Sequence, residues 1–341
     1  MSNRPYTLAR AVITKVQQLD PVFVRLGLEL TSGALPTAQL ALDQRIKIVV
    51  PTRLVAGCAP VVPVPLPAGE FSTILKAIHA NPTVVTRTVS VRRWYSEGGR
   101  DCALVDIALH EGEDCGPLAR FCAAAEPGWE VQLIVPEADP ATPEHRLFVP
   151  SSGVEFAPGH AQKVLLVGDE TALPAISRIV SDASVAWPGL DVAAIATVPE
   201  ACNPAAVAPS VQARWVPREG LQAPVTALPE VVAHTAAWLG RAAHSASLSA
   251  TFAEEAQAPA SAETLVWETA RFSAAGLALD DAASQGTGGA SQAHNQLPYI
   301  WIAGESSLVT GLRRILVREW NLPRSQVAFM GYWKSGTAMR G

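Results

Sequence analysis

Residues Val167–Ala175 read VGDETALPA, and their types suit a strand end, a glycine turn and the start of a helix. Gly168 permits a tight turn, and Thr171 is placed to cap the helix, whose free backbone N–H groups then face a crevice. In open α/β sheets ligands bind at the carboxyl ends of the strands, so this segment is a candidate anion or cofactor site. It lacks GxGxxG spacing, and the same strand-turn-helix also serves as plain structure. Cations form the second group: Arg87 with Arg92 and Arg93 close by, Lys47 and Arg45 within DQRIK, and Lys334 directly after Tyr332 and Trp333. Such residues are ordinarily solvated charges, yet a cation beside a pocket attracts an anionic ligand. Arg313 and Arg314 read as decoration of a solvated helix face. The seven histidines, at 79, 110, 145, 160, 234, 244 and 294, form no HxxxH or HExxH cluster. The five cysteines (Cys58, Cys102, Cys115, Cys122 and Cys202) form no CxxC pair and read as reduced thiols. No protein-held metal and no acid–base or nucleophilic constellation is expected.

The elements that must position these residues fall into two kinds. Up to about Pro158 the pattern is β-rich. Tyr6–Val16 and Val22–Leu30 alternate polar and apolar residues, and Gln17–Pro21 between them is short enough for a hairpin-like turn. Further strands are predicted at Arg45–Val50, Val84–Arg92, Cys102–His110 and Glu130–Val135, with helices at Glu70–His79 and Pro117–Ala125. Short strands separated by Gly, Pro and Asp suggest a small antiparallel barrel. Beyond Pro158, KVLLV (Lys163–Val167) is a continuous apolar run, as in a parallel strand buried on both faces. A helix at Thr171–Ser181, strands at Asp191–Thr197 and Val211–Val216, a helix at Thr226–Gly240, a strand at Tyr299–Ala303, a helix at Ser306–Trp320 and a strand at Gln326–Met330 follow. Strands alternating with helices call for a parallel α/β sheet. The expected division is therefore a barrel domain over 1–158 and an α/β domain over 159–341. The stretch 241–297, rich in Ala, Ser, Gln and Gly, reads as a flexible surface insertion in which TLVWETARF forms one short strand or helix.

Composition bounds the functional class. The chain has 341 residues, 49% hydrophobic and 17% charged, which favours two domains able to bury sizeable cores. A net charge of −5 argues against broad nucleic-acid binding, which needs a concentrated basic surface. The N-terminus lacks the uninterrupted apolar core of a signal peptide, and no stretch reaches about 18 apolar residues. A soluble cytoplasmic monomer without a membrane or nucleic-acid partner is the expectation.

VGDETALPAI closely resembles the hallmark of the siderophore-interacting proteins, flavin-binding ferric-siderophore reductases. The terminal WIAGESSLVTGLRRILVREWNLPRSQVAFMGYWKSG resembles that family's closing strand-helix-strand and Gly-Tyr-Trp ending. DQRIKIVVP, TRTVSVRRW, VDIALHEGEDCGPLARF and EPGWEVQLIVP add matches in family order over most of the chain, 241–297 apart. The resemblance implies a ferredoxin reductase-like fold, an antiparallel flavin-binding barrel followed by a parallel α/β nicotinamide-binding domain, with FAD and NAD(P)H as cofactors. The family's R-x-Y-T motif falls on Arg87, Thr88, Val89 and Ser90. Arg87 would pair with the FAD pyrophosphate, Ser90 would sit beside the flavin ring, and His110 would contact the cofactor from the next strand. Gly116, Pro117, Leu118 and Ala119 would form a phosphate cradle. Asp169, Thr171, Ala172 and Pro174 carry the hallmark, Trp333 would cover the flavin or shape access to it, and Lys47 and Lys334 would attract an anionic ferric chelate. Three positions depart from the family: Val89 replaces the flavin-stacking Tyr, Ala119 replaces a Ser, and Phe121 replaces a Trp. Uncompensated, they would weaken FAD binding by a few kcal/mol, about one hydrogen bond plus part of an aromatic contact.

The activity so implied is electron transfer from NAD(P)H through FAD to Fe(III) of a ferric siderophore, releasing Fe(II), with no general acid or base required. Two alternatives stay open: a non-catalytic siderophore-binding descendant without tight FAD, and a flavin reductase serving another acceptor. The sequence does not choose between NADH and NADPH. Glu200 follows the Asp191–Thr197 strand, and Arg214 and Arg218 lie farther along, where contacts to a 2′-phosphate could arise.

Overall fold

Period-2 alternation in the first half and continuous apolar strands in the second generate two differently built sheets. The computed structural model describes residues 6–32, 40–54, 71–109, 116–136, 153–220, 222–241, 267–268 and 297–336. They fall into two compact units, the first built mainly on the chain up to Glu155 and the second on the chain from Phe156.

In the first unit β1 (Tyr6–Gln18), β2 (Phe23–Ser32), β3 (Arg45–Pro51), β4 (Val84–Glu97), β5 (Arg100–Ala108) and β6 (Glu130–Pro136) close into a barrel in the order β1-β2-β5-β4-β3-β6. Adjacent strands are antiparallel throughout, and closure leaves no free sheet edge. Along β3 the alternation is direct: Ile46, Ile48 and Val50 enter the barrel core, while Arg45 and Lys47 take the other face. The predicted β1–β2 turn is tied by Asp20, whose Oδ1 accepts from the N–H groups of Val22 and Phe23 at 2.8 and 2.7 Å. Helix α1 (Phe71–Ala80) lies between β3 and β4 in sequence. Helix α2 (Pro117–Ala124) sends Phe121 and Cys122 into the core, with Phe121 tilted against Trp129 at 5.7 Å between ring centroids.

A bulge between Val91 and Arg93 breaks the β4–β5 register at Arg92. Arg92 reaches to 3.8 Å from the buried Asp106, which Arg25 grips with two bonds of 2.6 and 2.7 Å. Arg92, expected as a surface charge, is thus half-buried beside a carboxylate.

The second unit carries the parallel strands β7 (Lys163–Gly168), β8 (Asp191–Pro199), β9 (Ala213–Arg218), β11 (Tyr299–Glu305) and β12 (Val327–Trp333), ordered β9-β8-β7-β11-β12. The two-residue β10 (Trp267–Glu268) adds an antiparallel edge on β12, so TLVWETARF does contain a short strand. The rest of the insertion from 242 to 296 lies outside the described residues. Helices α3 (Leu173–Ala186), α4 (Pro204–Val207), α5 (Leu228–Trp238) and α6 (Ser306–Arg314) connect the strands. Leu165, Val167, Ile300 and Ile302 share a core with Leu228, Val231, Leu308 and Leu312. The chain runs to opposite sides of β7, toward β8 on one and β11 on the other, so the switch point of the sheet lies between β7 and β11. The helix predicted to run to Trp320 ends as an α-helix at Arg314 and continues as a π turn, Ile315–Glu319. The fold class is the expected one, an antiparallel barrel followed by a parallel α/β sheet.

Candidate functional site

In the barrel unit the candidate residues lie on β3, β4 and the start of α2. The β3–β4 register pairs Arg45 with Ser90, Ile46 with Val89, Lys47 with Thr88 and Ile48 with Arg87. Directly paired residues share a face, so Thr88 and Ser90 stand with Lys47 and Arg45. Lys47 Nζ donates to Thr88 Oγ1 at 3.2 Å. Val89 belongs to the barrel core and is 8% exposed. The replaced aromatic position is therefore filled by packing against Ile46's row rather than standing open beside Ser90.

Arg87 is half-buried, and its guanidinium donates to the carbonyl of Thr86 at 2.8 Å. Burial lowers its pKa. The Lys47 ammonium is lowered first by burial and then by the charges of Arg45 and Arg87. Arg45 is matched by Glu155 at 2.9 Å, and Glu155 is fixed in turn by its N–H on Asp43 at 3.0 Å. Among the described residues no carboxylate pairs with Lys47 or Arg87. Each is a half-buried cation without an acid partner among the described residues, Lys47 opposite Thr88 and Arg87 opposite Ile48, and each fits an anionic group such as a phosphate.

The start of α2 fits the cradle expectation in part. Gly116 is the extended N-cap residue with Pro117 behind it, and no side chain caps the helix. Leu118 packs on the barrel core, Ala119 is half-buried, and a methyl on Gly116 would meet no atom within 4 Å. The glycine is not demanded by space. His110 lies outside the described residues.

In the α/β unit the hallmark segment folds around Asp169, whose side chain is fully buried. Its Oδ1 accepts from the N–H and the hydroxyl of Thr171 at 2.9 and 2.5 Å. Its Oδ2 accepts from the N–H of Glu305 at 2.7 Å and from Trp333 Nε1 at 2.9 Å. The carboxyl ends of β7, β11 and β12 are thus tied to one carboxylate. Asp169, not Thr171, is the capping residue: its carboxylate reaches forward to the Thr171 N–H at the 3-10 turn Glu170–Ala172 that precedes α3. Ala172 and Pro174 are buried, and Thr171 is the half-exposed member of the motif. Two glycines make the arrangement possible. A methyl on Gly168 would lie 2.5 Å from Ala172 Cβ, and Gly304, at φ +138°, would place one 2.6 Å from Asp169 Cγ.

Two features escaped the sequence reading. Glu305 caps α6, with Oε2 accepting from the N–H groups of Ser307 and Leu308 at 2.7 and 3.1 Å. Glu170 and Arg218 form a buried ion pair, and Arg218 also donates to the carbonyl of Gln222 at 2.6 Å. Burial first, then the neighbouring Asp169, push Glu170 up to about 8 against the pull of Arg218. Arg218 is therefore committed and not a free phosphate ligand. Arg214, the other candidate for a 2′-phosphate, bonds His234 at 3.0 Å from the second position of the edge strand β9, opposite Ile195. Acidic residues flanking a strand end were the available signal for Glu170 and Glu305. Trp333 and Lys334 are half-buried at the end of β12, and Ser306 Oγ donates to the Trp333 carbonyl at 2.8 Å. Among the described residues no cluster of three His, Cys, Asp or Glu could hold a metal ion, and no helix is long and apolar enough to cross a membrane.

Comparison with known proteins agrees with this geometry. The sequence model described as siderophore-interacting protein matches residues 161–336, and that of the siderophore-interacting FAD-binding domain matches residues 12–140. Among solved structures the chain is similar to a siderophore utilization protein from T. fusca, at 20% identity and a TM-score of 0.56 over 98% of this chain and 95% of that one. It is also similar to a siderophore-interacting protein from Aeromonas hydrophila, at 22% identity and 0.50 over 98% and 94%. The ferredoxin reductase in carbazole 1,9a-dioxygenase matches at 14% identity and 0.50, over 96% of this chain and 69% of that one. At these identities the structural likeness establishes the fold alone. No curated protein matches the sequence.

Proposed function

Since the chain belongs to the family of siderophore-interacting proteins, we propose that it is a monomeric, cytoplasmic oxidoreductase that reduces ferric siderophores with electrons from NAD(P)H by way of FAD. The observation that carries this reading is the pair Lys47 and Arg87, half-buried on adjoining strands of the matched FAD-binding domain without an acid partner among the described residues. Bound FAD would link a two-electron donor to a one-electron acceptor, the Fe(III) of a chelate whose Fe(II) form is held weakly by hard oxygen ligands.

The residues take distinct tasks. Arg87 holds the pyrophosphate, for which its planar fork is suited. Ser90 and Thr88 offer hydroxyls on the face they share with Lys47. Lys47 and Lys334 supply positive charge for an anionic chelate. Asp169 holds the Trp333 indole in one orientation. No side chain has to donate or remove a proton.

The test begins with a visible spectrum of the purified protein, incubated with excess FAD and desalted. Flavin bands should be retained. Under anaerobic conditions, NADH or NADPH with a ferric siderophore should then yield Fe(II), read with a ferrous-specific chelator. Retained flavin with turnover of free flavin or a protein acceptor, and none of ferric chelates, would refute the substrate assignment. Intact chelate binding without any flavin would refute the reductase reading.

A further inference from the structure

We propose that the α/β unit does not grip the diphosphate of a dinucleotide, so that NADH and NADPH are met through the nicotinamide end alone and are not told apart. The inference rests on the proposed use of a nicotinamide donor and concerns how that donor is recognised.

A parallel sheet of this design ordinarily receives a pyrophosphate at its switch point, on free backbone N–H groups at the start of the next helix. Here most of those donors are taken. After β7, the Thr171 N–H and hydroxyl go to Asp169 Oδ1. The Ala172 N–H goes to the Asp169 carbonyl at 3.1 Å, the Leu173 N–H goes to the Glu170 carbonyl, and Pro174 has no N–H to give. After β11, the Glu305 N–H goes to Asp169 Oδ2, and the N–H groups of Ser307 and Leu308 go to Glu305 Oε2. Both helix starts beside the switch point are closed by the chain's own carboxylates.

Space and charge point the same way. Gly304 lets the end of β11 close over the Asp169 side chain and Gly168 lets β7 close on Ala172 and the Ala303 carbonyl, with no room at either for an added methyl. Asp169, Glu170 and Glu305 are 0%, 3% and 1% exposed, so carboxyl groups stand where an anion would have to lie. Arg218, the cation at the end of β9, is 4% exposed and turned to Glu170. Lys334 at the end of β12 is half-buried and carries no ion pair among the described residues, but one lysine without an N–H cradle does not define a diphosphate site.

Two measurements on the full-length, FAD-loaded protein test this. Calorimetric titration with ADP-ribose and with its 2′-phosphate should give no saturable heat into the millimolar range. Stopped-flow reduction by NADH, NADPH and reduced nicotinamide mononucleotide should be linear in donor concentration, with rate constants that agree closely. A grip on the adenylate half would appear as a preference of about tenfold or more for the full dinucleotides, or for one of them. Saturable ADP-ribose binding, or such a preference, overturns the inference. If none of the three donors reduces the flavin, the nicotinamide reading of the preceding section fails, while the titration still decides whether a diphosphate is bound.

Discussion

Gly304 is the position at which the design of the α/β unit is most exposed to a single methyl group. Its φ of +138° is a conformation L side chains rarely adopt, and forcing alanine into such a region costs about 1–3 kcal/mol. The new Cβ would also fall 2.6, 2.7 and 2.8 Å from Asp169 Cγ, Oδ2 and Oδ1. That carboxylate cannot move without releasing donors from Thr171, Glu305 or Trp333, and each bond to a buried charged group is worth about 1.5–3 kcal/mol. Losing one of them brings the expected cost of Gly304→Ala to about 3–6 kcal/mol. At about 2–4 °C per kcal/mol for a unit of this size, the melting temperature should fall by about 6–24 °C. Thermal unfolding followed by near-ultraviolet circular dichroism reads both the shift and the loss of the fixed Trp333 environment. Gly116→Ala, with φ −66° and no atom within 4 Å of the added carbon, is the control and should melt like the parent. The clash partner is checked by a double-mutant cycle. In an Asp169→Ala background the steric part of the Gly304→Ala cost should vanish. A Gly304→Ala protein melting within about 2 °C of the parent, or costs that simply add in the cycle, would refute the reasoning.

Other expectations follow from the same contacts. Arg87→Ala should raise the Kd for FAD about tenfold to a hundredfold, the value of a charge-assisted bond of about 1.5–3 kcal/mol, measured by flavin fluorescence titration. Lys47→Gln should raise KM for anionic ferric chelates with little change in kcat, and the difference should shrink at high salt as screening replaces the lost attraction. Asp106→Ala strands Arg25 and Arg92, each about one-fifth exposed, and should cost the barrel about 2–3 kcal/mol in urea unfolding, partly restored by Asn. Glu170 carries a folded-state pKa pushed up to about 8 from 4.5. Its contribution to stability is therefore complete below about pH 4.5 and is lost as pH rises through about 8. Glu170→Gln, neutral at every pH, should flatten that dependence in unfolding curves taken across this range.

Local pattern carried most of the fold. Arg45–Val50 was legible as a strand, in which Ile46, Ile48 and Val50 turn inward and Lys47 outward, and KVLLV marked a strand buried on both faces, because these periods are imposed by backbone geometry within a few residues. Boundaries were displaced where a side chain competed for the backbone. The helix predicted from Thr171 begins at Leu173 because Asp169 takes the Thr171 N–H and hydroxyl and bends the chain into a 3-10 turn. The strand expected from Val211 begins at Ala213 because the Val211 N–H closes a turn onto the Ala208 carbonyl.

The site was legible as a set of residues but not as a set of bonds. Spacing singled out Asp169 as part of a strand-turn-helix, yet its partners Glu305 and Trp333 lie 136 and 164 residues away, and no periodicity reports on contacts of that span. The same holds for Arg218, which read as a candidate phosphate ligand until its partner Glu170, 48 residues earlier, was in view. This difference changes the chemistry that each half of the chain can offer. In the barrel, Lys47 and Arg87 keep their charge uncommitted among the described residues and gain from any anion that arrives. In the α/β unit the matching groups already satisfy one another, so its strand ends serve to hold Trp333 and to brace the sheet. Among the described residues the positive charge left for a ligand lies chiefly in the barrel, so substitutions there should move ligand affinities while those around Asp169 move stability.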